Sequence, residues 1–123
     1  MVHLVAGLAL GLAMALPGGF DPGAWRISYV HLLVLGWASQ MIFGVAYWMF
    51  PRRAPADAHQ VPWAGWVCFI ALNAGAVVRT VAEPALAAGP SPAASACAVT
   101  AAALQLLSVV SFVWLAWPRV TAR

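Results

Sequence analysis

From Ile27 to Phe50 the chain carries no Asp, Glu, Lys or Arg, and the run stops abruptly at Pro51-Arg52-Arg53. A helix needs about 20 apolar residues, each rising 1.5 Å, to cross the hydrocarbon core of a bilayer. This run meets that length. Two other stretches, at about 62–83 and 93–117, meet it as well, and a shorter one lies at about 2–16. The chain is 64% hydrophobic and 7% charged, against roughly 25% charged residues in a soluble domain. The expected fold is all-α, a four-helix transmembrane bundle forming one domain over residues 1–123. No room remains for a water-soluble catalytic domain beside it.

The breaks have a physical cause. Proline lacks a backbone donor, so Pro17-Gly18-Gly19, Asp21-Pro22-Gly23, the segment from Pro51 to Pro62 and the segment from Pro84 to Pro92 read as turns that end helices. The first stretch is short enough to need a thinned bilayer or snorkelling flanks. It has no Lys or Arg ahead of it, so it reads as a helix and not as a signal peptide.

Orientation follows from the arginines, because the chain has no lysine. Arg52, Arg53, Arg119 and Arg123 fall on the side of both termini, and Arg26 and Arg79 on the other. The positive-inside rule then puts both termini in the cytoplasm, as for a multi-pass protein of a bacterial inner membrane. The formal charge of +3 is a topology signal; no basic stripe suits nucleic acid. Trp25, Trp48, Trp63, Trp66, Trp114 and Trp117 sit near helix ends, where indoles favour the headgroup level. Trp37 is deeper. Cys68 and Cys97 fall at opposite ends of the third and fourth helices, too far apart for a disulfide, and no metal-ligand spacing is present.

Polar side chains inside a bilayer are costly and mark function by default. Here they are His31, Gln40, Asn73, Arg79, Glu83 and Gln105. Asn73, Gln105 and Gln40 read as hydrogen bonds between helices. His31 and Arg79 each lie about four residues, roughly 6 Å, from the outer end of their helix. An imidazole and a guanidinium at one level suit a b-type heme, with His31 on the iron and Arg79 near the propionates. On a helical wheel His31 begins an apolar face of Val34, Leu35, Ala38, Ile42, Val45 and Met49 that could receive a porphyrin. The plainer readings stay open: His31 as an interfacial or packing residue, and Arg79 snorkelling or paired with Glu83 four positions on.

His31, Gly36-Trp37, Gly44, Tyr47 and Pro51-Arg52 together resemble the histidine-bearing helix of subunit I of heme-copper oxidases. The C-type cytochrome c oxidases and nitric oxide reductases are the nearest in pattern, and the small four-helix proteins described as oxidase subunit I-like are nearer still. The resemblance implies that His31 ligates heme iron and that Gly36 and Gly44 are close-packing positions. It covers about 25 residues. The chain departs from it in histidines, since beyond His31 it has only His3 and His59, both expected at the cytoplasmic side. A binuclear copper centre, and the enzyme activity that needs one, are therefore not expected.

The sixth ligand is left among three choices: a second His31 across the two-fold axis of a homodimer, Met14 near the outer end of the first helix, or an open position for a small gas. Three functional classes follow. The first is a heme b protein in electron transfer or in gas or redox sensing. The second is a non-heme accessory or assembly subunit of a respiratory complex. The third is a small dimeric transporter, which lacks the deep carboxylate that coupling usually uses.

Overall fold

An aspartate followed by proline and glycine opens the longest apolar run earlier than hydropathy suggests. In the computed structural model, which describes residues 1–50 and 63–121, Asp21 accepts hydrogen bonds from the Gly23 and Ala24 amides at 3.1 and 3.2 Å. Pro22 occupies the first turn, where its missing N–H costs nothing. The second helix therefore begins at Pro22, not near Ile27.

The described residues form four helices and no strand: α1 (Val2–Ala15), α2 (Pro22–Met49), α3 (Trp63–Ala88) and α4 (Pro92–Thr121). The last three are long and apolar enough to cross a membrane, and the chain is a membrane protein. Its surface agrees, for Trp48, Trp63, Trp114 and Trp117 are among many large apolar side chains left exposed. With 14 residues, α1 is the short helix.

The closest pairing joins α3 to α4 as an antiparallel hairpin. Ala64, Cys68, Ala71, Gly75 and Ala82 are buried on α3, and Ala94, Ala101 and Ser108 on α4. These recur at spacings of four and three or their sum, the stripe that two helices need to run side by side. Small residues let the backbones approach. A Cβ on Gly75 would stand 3.0 Å from the Ala101 carbonyl oxygen. Within this seam the Ser108 hydroxyl donates to the Cys68 carbonyl at 2.8 Å, and the Cys68 thiol lies 3.4 Å from Ser108 Oγ.

Two prolines lie inside helices, and one of them, Pro84, reads in the sequence as the start of a turn. α3 continues over Pro84 to Ala88, and α4 continues over Pro118 to Thr121. Pro84 has no N–H for the carbonyl one turn earlier, which belongs to Thr80. The hydroxyl of Ser28, on α2 and fully buried, donates to that carbonyl at 3.2 Å. A side chain from the next helix thus replaces the bond that proline removes, and the helix need not end.

α1 runs antiparallel to α2 but covers only part of it. Gly11 faces Tyr29, Gly7 faces Leu33, and the ring of His3 lies on Gly36. Directly after His31, α2 widens into a π-helical stretch, Leu32–Ala38. The backbone N–H and the hydroxyl of Ser39 both donate to the Val34 carbonyl, the hydroxyl at 3.0 Å. Such wide turns occur often at functional positions. α2 packs closely on α3 near Ser28 and parts from it toward Met49, where Phe43 stacks on Phe112 of α4 at 4.2 Å between centroids. The Arg119 guanidinium caps this end, 4.3 Å above the Tyr47 ring.

Candidate functional site

His31 is half-buried on α2 at the junction between the α and π stretches. Its Nδ1 lies 2.8 Å from the carbonyl oxygen of Ile27, one turn earlier. A carbonyl can only accept, so Nδ1 carries the proton, and a neutral ring leaves Nε2 with a bare lone pair. Metal-binding imidazoles are commonly oriented by a hydrogen bond of this kind. The flank of α2 that meets α1 is formed by Tyr29, Leu32, Leu33 and Gly36, and His31 is not part of it. Its own flank is open: Ile27, one turn earlier on the same side of the α-helical segment, is 47% exposed. Val34, Ile42, Val45 and Met49 of the expected apolar face are exposed as well, but the π stretch after His31 rotates the residues beyond it, so they do not continue its side of the helix as a uniform wheel drew it.

His3 requires a correction. It was expected at the far end of the bundle from His31, but its ring packs against Gly36, so that a Cβ on Gly36 would come within 2.8 Å of it. The short α1 takes its register from Gly7 on Leu33 and Gly11 on Tyr29, which draws His3 to the middle of α2. His3 and His31 are then about 7 Å apart along the helix axis, on different flanks. They do not form a pair. Met14 lies one turn beyond Gly11, on the α1 flank and about 7 Å from the level of His31, so it is not placed beside the imidazole. His59 lies outside the described residues.

Arg79 follows the level argument. Thr80 is opposite Ser28, so Arg79 and His31 lie within about one helical turn of each other along the bundle. The guanidinium is already engaged: its Nε is 2.8 Å from Glu83 Oε1, with the two side chains 23% and 11% exposed. The glycines divide. Gly36 is in close contact with His3, whereas a Cβ on Gly44 would meet nothing within 4 Å.

The other intramembrane polar groups divide into paired and unpaired. Gln40 Nε2 donates to Asn73 Oδ1 at 2.8 Å, and Asn73 Nδ2 donates to the Phe69 carbonyl at 2.7 Å. Gln105 departs from the expected interhelical bond; its buried Nε2 has no hydrogen-bond partner among the described residues, and neither has the indole N–H of Trp37. Cys68 is buried and Cys97 exposed, both as free thiols. No group of three or more His, Cys, Asp or Glu side chains able to hold a metal ion occurs among the described residues.

Where α2 and α3 part, a cleft of about 220 Å³ opens, with Gln40, Phe43, Gly44 and Tyr47 on one side and Cys68 and Phe69 on the other. Sequence reasoning did not find it, because it depends on helix divergence. Ser28 was likewise missed; the signal for it was a proline four positions after Thr80 on the facing helix.

Compared with protein-family models, curated proteins and solved structures, the chain matches none of them.

Proposed function

We propose that the chain is a heme b-binding protein of a bacterial cytoplasmic membrane, serving in electron transfer or in gas or redox sensing. Both termini face the cytoplasm in this reading. The observation that carries it is the imidazole of His31, held by the Ile27 carbonyl with Nε2 free on an open apolar flank. That set suits one axial position and no more, for the other described histidine is on the α1 flank. Two copies related by a two-fold axis would bring one His31 each to a shared site. A b-type heme would supply a one-electron redox couple there.

The chain's own residues have simpler tasks. The Ile27 carbonyl orients the ring of His31 and holds the proton on Nδ1, which leaves Nε2 as the ligating nitrogen. Gly36 admits His3 and so keeps α1 on the flank away from His31. Arg79 and Glu83 neutralise each other near the level of His31, leaving the remaining guanidinium nitrogens as donors for a propionate.

Titration of the purified protein with hemin tests this. The expected result is saturation at one heme per two chains, abolished in His31→Ala and retained in His3→Ala. Absence of a specific Soret shift in the wild type would remove heme from the account and leave an accessory subunit of a larger membrane complex as the better reading.

A further inference from the structure

The cleft between the diverging halves of α2 and α3 does not include His31, and it has a chemistry of its own. Its walls are apolar and aromatic, with the parallel Phe43–Phe112 pair on one side. Two donors stand in that apolar lining. Gln40 has an amide with two hydrogens, of which one goes to Asn73. Tyr47 offers its carbonyl to Arg119 and its ring face to the same guanidinium, while its hydroxyl has no partner among the described residues. The Cys68 thiol, also in the lining, is already engaged with Ser108.

Size and opening narrow the ligand. Sites for drug-sized molecules run from about 300 to 1,000 Å³, so a cleft of about 220 Å³ holds one ring and not a whole lipid. Gly44, exposed at its rim with nothing within 4 Å of a Cβ, leaves the side toward the bilayer open for a tail. A saturated acyl chain would fill the apolar walls and leave both donors unmet. Unpaired donors in hydrocarbon are unfavourable.

We infer that this cleft binds the ring of a lipid-soluble carbonyl compound of the prenylated-quinone class, with Gln40 and Tyr47 donating to its oxygens and its tail leaving past Gly44. The inference goes beyond the heme reading and does not depend on it.

The test is equilibrium binding of decylubiquinone to the full chain in nanodiscs of saturated phosphatidylcholine. Decylbenzene, which has the ring and tail without the carbonyls, serves as competitor. Wild type and His31→Ala should bind equally, which separates this result from the fate of the heme proposal. Tyr47→Phe should weaken binding about tenfold, the usual worth of one such hydrogen bond in an apolar site. Gly44→Leu, whose Cβ meets nothing within 4 Å and whose branch would stand in the rim, should abolish it while helicity stays unchanged. Decylbenzene should not compete. Binding that survives Gly44→Leu, or that decylbenzene displaces as well as the quinone does, would overturn the inference and leave a groove for lipid tails; so would no binding to the wild type.

Discussion

The bond between Ser28 and the Thr80 carbonyl gives the sharpest quantitative expectation. Pro84 removes the N–H that would serve this carbonyl, and the Ser28 hydroxyl takes its place from a position with no solvent exposure. Ser28→Ala leaves the carbonyl with no donor. Side-chain hydrogen bonds between membrane helices average about 0.6 kcal/mol and reach about 1.7, whereas a stranded buried acceptor costs about 1–3. At 3.2 Å the bond is long for a hydroxyl donor, which points to a loss near 1 kcal/mol. Pro84→Ala restores an N–H one turn after Thr80. In that background the Ser28→Ala change should cost almost nothing. A double-mutant cycle measured by reversible unfolding in mixed detergent–SDS micelles, followed by circular dichroism, should return a coupling of about 1 kcal/mol. Equal losses in the two backgrounds would refute the idea that Ser28 stands in for the missing amide.

Three other perturbations probe the bundle. Gly36→Val puts a side chain where the His3 ring now lies; it should destabilise by about 1–3 kcal/mol through overpacking, and His3→Ala should rescue it in the same unfolding assay. Asn73→Leu deprives Gln40 of its acceptor and should lose about 0.6–1.7 kcal/mol, with no additional loss when Gln40→Leu is combined with it. Glu83→Gln leaves the Arg79 charge uncompensated in a site where it is only 23% exposed. Removing one partner of a fully buried pair costs about 3–5 kcal/mol, so partial exposure suggests about 1–3 here. The double variant Arg79→Met with Glu83→Gln should be more stable than Glu83→Gln alone.

Hydropathy made the all-helical fold legible, since lengths near 20 apolar residues leave little else for a chain in lipid. That Gln40 and Asn73 bond between helices was legible for a related reason, since amides in mid-membrane need partners; that they pair with each other, while Gln105 Nε2 finds no partner among the described residues, was not. Boundaries were less legible because they depend on tertiary contacts. The rule that proline ends a helix gave way at Pro84, where Ser28 on another helix supplied a donor. The position of His3 was hidden for a similar reason. Its depth depends on how a short α1 registers against α2, and that register rests on Gly7, Gly11 and Gly36 meeting particular side chains. A wheel drawn with uniform α-helical spacing also carried no sign of the π stretch, Leu32–Ala38, that follows His31. At the candidate site, residue types and depth drew attention to His31 and Arg79, while the Ile27 acceptor, the Glu83 contact and the open flank required coordinates.

The most direct measurement is a reduced-minus-oxidised absorption spectrum of the purified wild type beside His31→Ala and His3→Ala. The account predicts sharp b-type bands in the wild type and in His3→Ala, and none in His31→Ala. Bands of undiminished height in His31→Ala, or no bands in wild-type protein from heme-replete cells, would contradict it.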